Sequence, residues 1–249
     1  MKRYELADTL RGLSIISMIA FHTCWIMSFF GVLIDRQVLT GTWFTIWERS
    51  ICIGFISIAG FSFSLGHNHL RTGLKIFGWG FVITAVTCLL IPGIRIIFGI
   101  LTFIGTVTLL MIPLDKALNG KVAGKRITAV FLFILSLVLF LLTYHINAGY
   151  IGLRFFPVYL PKCLYKGLFA TFFGFMEPGF TSDDYFSILP WFFIFICGYM
   201  LHKMIIGTKA EEIALNYKIR GINSMGRHSL PIYLIHPVVI YVLVWLITA

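Results

Sequence analysis

Residues 10–30, LRGLSIISMIAFHTCWIMSFF, form an apolar stretch interrupted by one arginine near its start and one histidine near its middle. As a helix rising about 1.5 Å per residue, it is long enough to cross the hydrocarbon core of a bilayer. Arg11 and His22 are eleven residues apart. At about 100° per residue their side chains return to one helix face, about 16 Å apart along the axis. Arg11 then belongs at an interface, while His22 falls near mid-membrane. An ionisable side chain at that depth is costly and is read first as a functional group.

The rest of the chain agrees with a membrane location. Of 249 residues, 59% are hydrophobic and 12% charged, with a mean hydropathy of +0.92, against about a quarter charged in a soluble domain. Apolar length and Gly, Pro or charged punctuation mark seven spans: 10–30, 43–65, 74–91, 96–114, 127–144, 185–201 and 229–248. The first is too long, and too polar in its flanks, for a cleaved signal peptide. The expected fold is an all-α polytopic membrane helical bundle of about seven transmembrane helices, built as a single domain over residues 1–249.

With the N-terminus inside, fourteen of the twenty Lys and Arg face the cytoplasm, from Lys2, Arg3 and Arg11 to Arg227, and six face out. This asymmetry predicts N-in and C-out in a multi-pass membrane protein. It also accounts for much of the formal charge of +10. The cations are spread over short loops without an aromatic-interleaved basic sheet or a recognition helix, so nucleic acid is not expected as a partner. Anionic lipid in the bilayer is. Five cysteines show no metal or disulfide spacing and read as apolar packing residues. His67 and His69 lack a third ligand, and no metal is expected.

One connection differs from the others. Residues 145–184 form a long outer loop rich in aromatics, and loops of that length are usually functional or carry hidden structure. Its segment 164–175 is too short to span and is predicted to be an interfacial or re-entrant helix.

Polar residues then single themselves out. Asp8 precedes Arg11 by three residues, close enough for an ion pair on a helix. Ser14 and Met18 continue the face that joins Arg11 to His22. In the last span, Ser229 is placed to cap the helix, His236 lies seven residues on, and Pro237 removes a backbone donor beside it. Tyr233 shares the face of His236. On the outer side Asp183, Asp184 and Tyr185 introduce the sixth span, where acids also suit a helix N-terminus. Glu48 lies near the outer end of the second. Gly60 and Ser64, four apart, predict close helix packing.

Five blocks carry a resemblance: RYELADTLRGLSIISMIAFH (3–22), FISIAGFSFSLG (55–66), FGILTFIGTVTLLMIPLD (98–115), SDDYFSILPWFFIFICGYML (182–201) and GRHSLPIYLIHPVVIY (226–241). In this order they resemble the bacterial membrane proteins related to the heparan-alpha-glucosaminide N-acetyltransferase catalytic domain. More distantly, Arg11, ten residues and His22 resemble the first-helix signature of membrane O-acyltransferases that modify cell-surface polysaccharides. The resemblance implies a multi-helix enzyme that moves an acetyl group from cytosolic acetyl-CoA to a saccharide across the membrane. By it, Arg11 contacts the donor and His22 takes part in acyl transfer. Eukaryotic lysosomal members are thought to use a histidine in the loop after the first helix, whereas residues 32–42 here hold none.

The chemistry suits the residues. Acyl transfer from a thioester needs a base for an amine or hydroxyl, or a nucleophile that carries the acyl group, and imidazole serves as either. The expected activity is an acyl-CoA-dependent transmembrane acetyltransferase acting on an amino sugar or saccharide. His22 and His236 are its catalytic candidates. Arg11, Ser14 and Met18 are expected to bind acetyl-CoA; Glu48, Asp183, Asp184, Tyr185 and Tyr233 are expected to bind the acceptor. The alternative is a membrane protein without acyl transfer, either a transporter or flippase or a b-type haem protein ligated by His22 and His236. The sequence leaves self-association as a homo-oligomer open.

Overall fold

The computed structural model describes residues 3–32, 35–90, 94–122 and 125–248. In chain order the helices are α1 (Glu5–Phe29), α2 (Arg36–Leu39), α3 (Thr42–Phe63), α4 (His69–Leu90), α5 (Ile100–Val122) and α6 (Arg126–Thr143). A two-stranded hairpin follows, β1 (Tyr150–Ile151) and β2 (Val158–Tyr159), then α7 (Gly167–Phe173), α8 (Ile188–Ile205), α9 (Lys209–Asn216), α10 (Ile222–Arg227) and α11 (Ser229–Thr248). Among the described residues seven helices, α1, α3, α4, α5, α6, α8 and α11, are long and apolar enough to cross a membrane. The protein is an all-α polytopic helical bundle. Lys2, and Ile91 at the expected end of the third span, lie outside the described residues.

Span edges move where hydrogen bonding overrides hydropathy. The fourth span starts at Ile100 rather than Ile96, and the sixth at Ile188 rather than Tyr185. Both shifts have one cause. Residues 182–186 and 95–100 are tied to each other, so neither segment is free to extend its own helix. Arg95 N donates to Asp183 Oδ2 (2.7 Å), Ile97 N to Ser182 Oγ (3.0 Å), Ile100 N to Asp184 Oδ2 (3.1 Å) and Phe186 N to Phe98 O (2.9 Å). Asp184, which the sequence placed ahead of α8, instead satisfies the donor at the start of α5, and Ser182 holds the segment that leads into it.

The chain divides into two compact units. The first comprises the residues up to Ile58 and those from Ile205 onward. Its organising contact is between α1 and α10, where side chains are absent on both sides. A Cβ at Gly12 would stand 2.1 Å from Ile222 O, and one at Gly226 would stand 1.8 Å from Asp8 O. The two backbones therefore touch directly, an approach that only glycine permits. Around it, Asn223 Nδ2 donates to Glu5 O (3.0 Å) and Tyr4 OH to Glu211 Oε1 (2.8 Å), while Glu211 Oε2 accepts from Gly207 N (2.7 Å). Burial, reinforced by the Glu211 carboxylate, pushes the Tyr4 phenol up to about 12, so it remains a donor at neutral pH. Farther along, Ile15, Met18 and Ile51 form one buried apolar cluster, and Ile26, Ile240 and Val244 another.

The second unit, Ala59–Met204, uses the same device twice. Along α4 and α5, a Cβ at Gly80 would meet Thr102 N at 2.5 Å and one at Gly105 would meet Phe77 N at 2.5 Å. Between α3 and α8, a Cβ at Gly60 would stand 1.9 Å from Phe195 O, which bears out the close packing read from Gly60. Phe103, Phe195 and Tyr199 are fully buried here, and the Tyr199 hydroxyl donates to Asp115. The long loop differs from its sequence reading: it is helical over Gly167–Phe173 rather than 164–175, and it contains a hairpin the sequence did not announce.

Glycine's absence of a side chain is required at Gly12 and not at Gly78, whose Cβ would meet nothing within 4 Å. Thermal unfolding in detergent checks this. Gly12→Ala is expected to lower stability by about 1–3 kcal/mol through overpacking, whereas Gly78→Ala is expected to hold or raise it by about 0.5–1 kcal/mol. Equal transitions for Gly12→Ala and the unmodified protein would contradict the backbone contact.

Candidate active site

The two intramembrane histidines meet. His22 on α1 and His236 on α11 place Nδ1 and Nε2 2.6 Å apart. The ring centroids are 4.9 Å apart and the planes differ by 9°. That centroid separation exceeds the nitrogen separation by about one ring diameter, so the rings lie edge to edge in a common plane. The bond is in-line, the favourable geometry for a hydrogen bond. Axial haem ligands stand on opposite sides of an iron ion, and this direct contact leaves no space for one between the two nitrogens.

A third group fixes which nitrogen carries which hydrogen. His236 Nδ1 is 3.0 Å from the carbonyl oxygen of Ile232, one turn back on α11. A carbonyl only accepts, so Nδ1 of His236 bears the hydrogen and its Nε2 in the neutral ring is bare. That bare nitrogen accepts from Nδ1–H of His22, which leaves the lone pair of the neutral His22 ring on Nε2. Among the described residues that Nε2 makes no hydrogen bond. The chain of groups has the logic of a base oriented by a second residue: carbonyl, imidazole, imidazole, open lone pair.

Local sequence explains the arrangement. Pro237 has no N–H, so the helical bond it would make to Tyr233 O is missing and α11 is loosened where His236 turns back on its own helix. Apolar clusters flank the pair along α1, Ile15, Met18 and Ile51 toward its N-terminal end and Ile26, Ile240 and Val244 toward its C-terminal end. His236 is 6% exposed and His22 half-buried. The Phe21 ring lies 6.0 Å from that of His22 and packs edge-on against Trp47 at 5.5 Å, whose Nε1 donates to Ser17 Oγ (2.8 Å). The Tyr233 ring is 5.8 Å from that of His236.

At the N-terminal end of α1, buried Asp8 gathers arginines. Oδ1 accepts from Arg11 Nη1 (2.8 Å), Oδ2 accepts from Arg3 Nε (2.8 Å), and Arg227 Nε lies 3.8 Å from Oδ2. Arg11 Nη1 also reaches Gly226 O at 3.4 Å, and Arg227 Nη2 pairs with Glu5 Oε2 at 2.9 Å. The expected Asp8–Arg11 pair is present. Sequence reasoning missed Arg3, Arg227 and Glu5 as its neighbours. Arg227 lies more than two hundred residues from Asp8, and only the glycine contact between α1 and α10 brings it there.

The other sequence candidates fall as follows. Ser14 Oγ donates to Leu10 O (3.0 Å) and Gly54 of α3 lies beside it. Met18 is 5% exposed, a core residue packed with Ile15 and Ile51. Glu48 is half-buried on α3 and makes no hydrogen bond or ion pair among the described residues. Asp183, Asp184 and Tyr185 belong to the second unit. There the two carboxylates hold the backbone ahead of α5, and Asp183 borders a surface hollow with Arg95, Thr181 and Ser182. Tyr185 OH donates to Thr171 O at 2.5 Å, and burial pushes its phenol up to about 12. Among the described residues no three His, Cys, Asp or Glu side chains are grouped to hold a metal ion.

Comparison with known proteins agrees with the resemblance carried by the five sequence blocks. The sequence model described as heparan-alpha-glucosaminide N-acetyltransferase, catalytic, matches residues 3–238. No curated protein and no solved structure matches the chain. With nearly its whole length covered, this multi-pass membrane helical protein belongs to the heparan-alpha-glucosaminide N-acetyltransferase catalytic family.

Proposed function

We propose that the protein is a membrane-embedded acetyltransferase, and that His22 Nε2 is the base that activates the acceptor. The observation that carries this reading is the His22–His236 pair with its carbonyl anchor, which leaves one lone pair available in an apolar interior. The substrate acetyl-CoA supplies the acyl thioester. On attack by an acceptor amine or hydroxyl, the new bond to the acyl carbon forms as the carbon–sulfur bond breaks. Nε2 of His22 takes the proton released by the nucleophile and returns it to the departing thiolate. His236 holds the ring in the tautomer that makes Nε2 basic and stabilises the imidazolium as it forms.

On this reading the N-terminus faces the cytoplasm, in a bacterial-type inner membrane, and the arginines around Asp8 meet the phosphates of the donor. Guanidinium forks suit phosphate oxygens, and Asp8 keeps Arg11 in one orientation. From Arg11 the donor arm runs about 16 Å along α1 to His22, past Ser14 and the wall that Met18 helps to build. A saccharide or amino-sugar acceptor arrives from the opposite side of the membrane. In the first unit, Glu48 and Tyr233 offer it hydrogen-bonding groups.

Two kinetic outcomes follow. His22→Ala is expected to abolish transfer of labelled acetyl groups from acetyl-CoA to glucosamine-type acceptors, while His236→Ala lowers kcat by about 10²–10⁴ with the KM for acetyl-CoA unchanged. Full activity in His22→Ala would reject its role, and label retained on His22 would replace proton transfer by an acetyl-imidazole step. Arg11→Ala is expected to raise the KM for acetyl-CoA about tenfold, since a charged hydrogen bond contributes about 1.5–3 kcal/mol. An unchanged KM would remove Arg11 from the donor site.

A further inference from the structure

Large apolar side chains exposed on the seven spans are accounted for by lipid tails. A second group lies outside every span, between α6 and α8. Phe155 is 86% exposed, Phe156 80%, Phe169 79% and Tyr159 76%, with Leu153 and Leu168 also exposed. A concentration of bare aromatics in water is unfavourable and marks a contact surface.

The backbone holds these residues outward. β1 and β2 pair antiparallel, Tyr150 with Tyr159 and Ile151 with Val158. The turn between them closes tightly at Gly152, where φ is +98° and a Cβ would stand 2.6 Å from Phe156 O. Leu153, Arg154, Phe155 and Phe156 thus occupy the tip of a short, constrained hairpin. Nearby, Tyr165 OH donates to Ile146 O (2.7 Å), which ties the segment before α7 back to the end of α6.

Charge identifies the occupant. Arg154, Lys162 and Lys166 are exposed in this stretch, and residues 144–176 contain no Asp or Glu. No helix between α6 and α8 is long enough to cross a bilayer, so both spans meet the loop at one membrane surface. Aromatic rings favour the headgroup level of a bilayer, and cations beside it are attracted to anionic lipid by about 1 kcal/mol each. We infer that the β1–β2 hairpin and α7 form a membrane-contacting surface, inserting Phe155, Phe156 and Phe169 among the headgroups and placing Arg154, Lys162 and Lys166 on the phosphates of anionic phospholipid. This surface is independent of the acetyl-transfer reading.

Photoactivatable lipid tests it on the unmodified full chain. The protein is reconstituted in phosphatidylcholine nanodiscs with or without phosphatidylglycerol, each lipid carrying a diazirine near the glycerol. Adducts are then mapped by mass spectrometry. Adducts are expected on residues 153–169 as well as on α6, with phosphatidylglycerol preferred. In the variant Arg154→Gln, Lys162→Gln, Lys166→Gln, phosphatidylglycerol adducts on this segment fall about fivefold or more, while those on α6, which report insertion and folding, persist. Labelling confined to the spans, or equal labelling of this segment by phosphatidylcholine and phosphatidylglycerol, would overturn the inference.

Discussion

Two neutral imidazoles joined by one hydrogen bond share a single hydrogen at their contact, and the direction of that bond must be set from outside the pair. Here the Ile232 carbonyl sets it: it takes the Nδ1 hydrogen of His236, which makes His236 Nε2 an acceptor and His22 Nδ1 a donor. In a hydrocarbon surrounding such a bond contributes about 1–2 kcal/mol and has no water to replace it. The same surrounding makes an imidazole costly to hold there without a purpose.

Holding α1 in place for this contact falls to features far from it. The reciprocal glycines Gly12 and Gly226 let α10 lie backbone to backbone on α1, and Asp8 then binds arginines from both segments. Structure and charge are coupled at this end of the helix: the contact that fixes the position of α1 also gathers three arginines around two carboxylates. In the second unit, carboxylates that begin as plausible acceptor ligands turn out to hold the backbone ahead of α5.

Much of the fold was legible because a bilayer imposes length and polarity together. Each of the seven spans overlaps the place where hydropathy puts it. Asp184 with Ile100 N accounts for the late starts of α5 and α8. In contrast, α1 and α4 begin five residues earlier than their apolar stretches and α5 runs on to Val122, because helical hydrogen bonding continues into polar residues that hydropathy excludes. The hairpin at 150–159 was not legible, since two-residue strands leave no period to read. For the site, Arg11, His22 and His236 were each visible as polar residues in apolar surroundings. Their partnership was not, because the direct imidazole contact and the approach of Arg227 depend on which helices adjoin, and hydropathy says nothing of adjacency.

Nitrogen-15 NMR of histidine-labelled protein in lipid nanodiscs, assigned with His22→Gln and His236→Gln, tests the central claim most directly. At a pH where both rings are neutral, both histidines are expected to carry hydrogen on Nδ1 and bare lone pairs on Nε2, with a coupling across the Nδ1–Nε2 bond. Hydrogen found on Nε2 of His22 would contradict it, because the proposed base would then have no lone pair to offer.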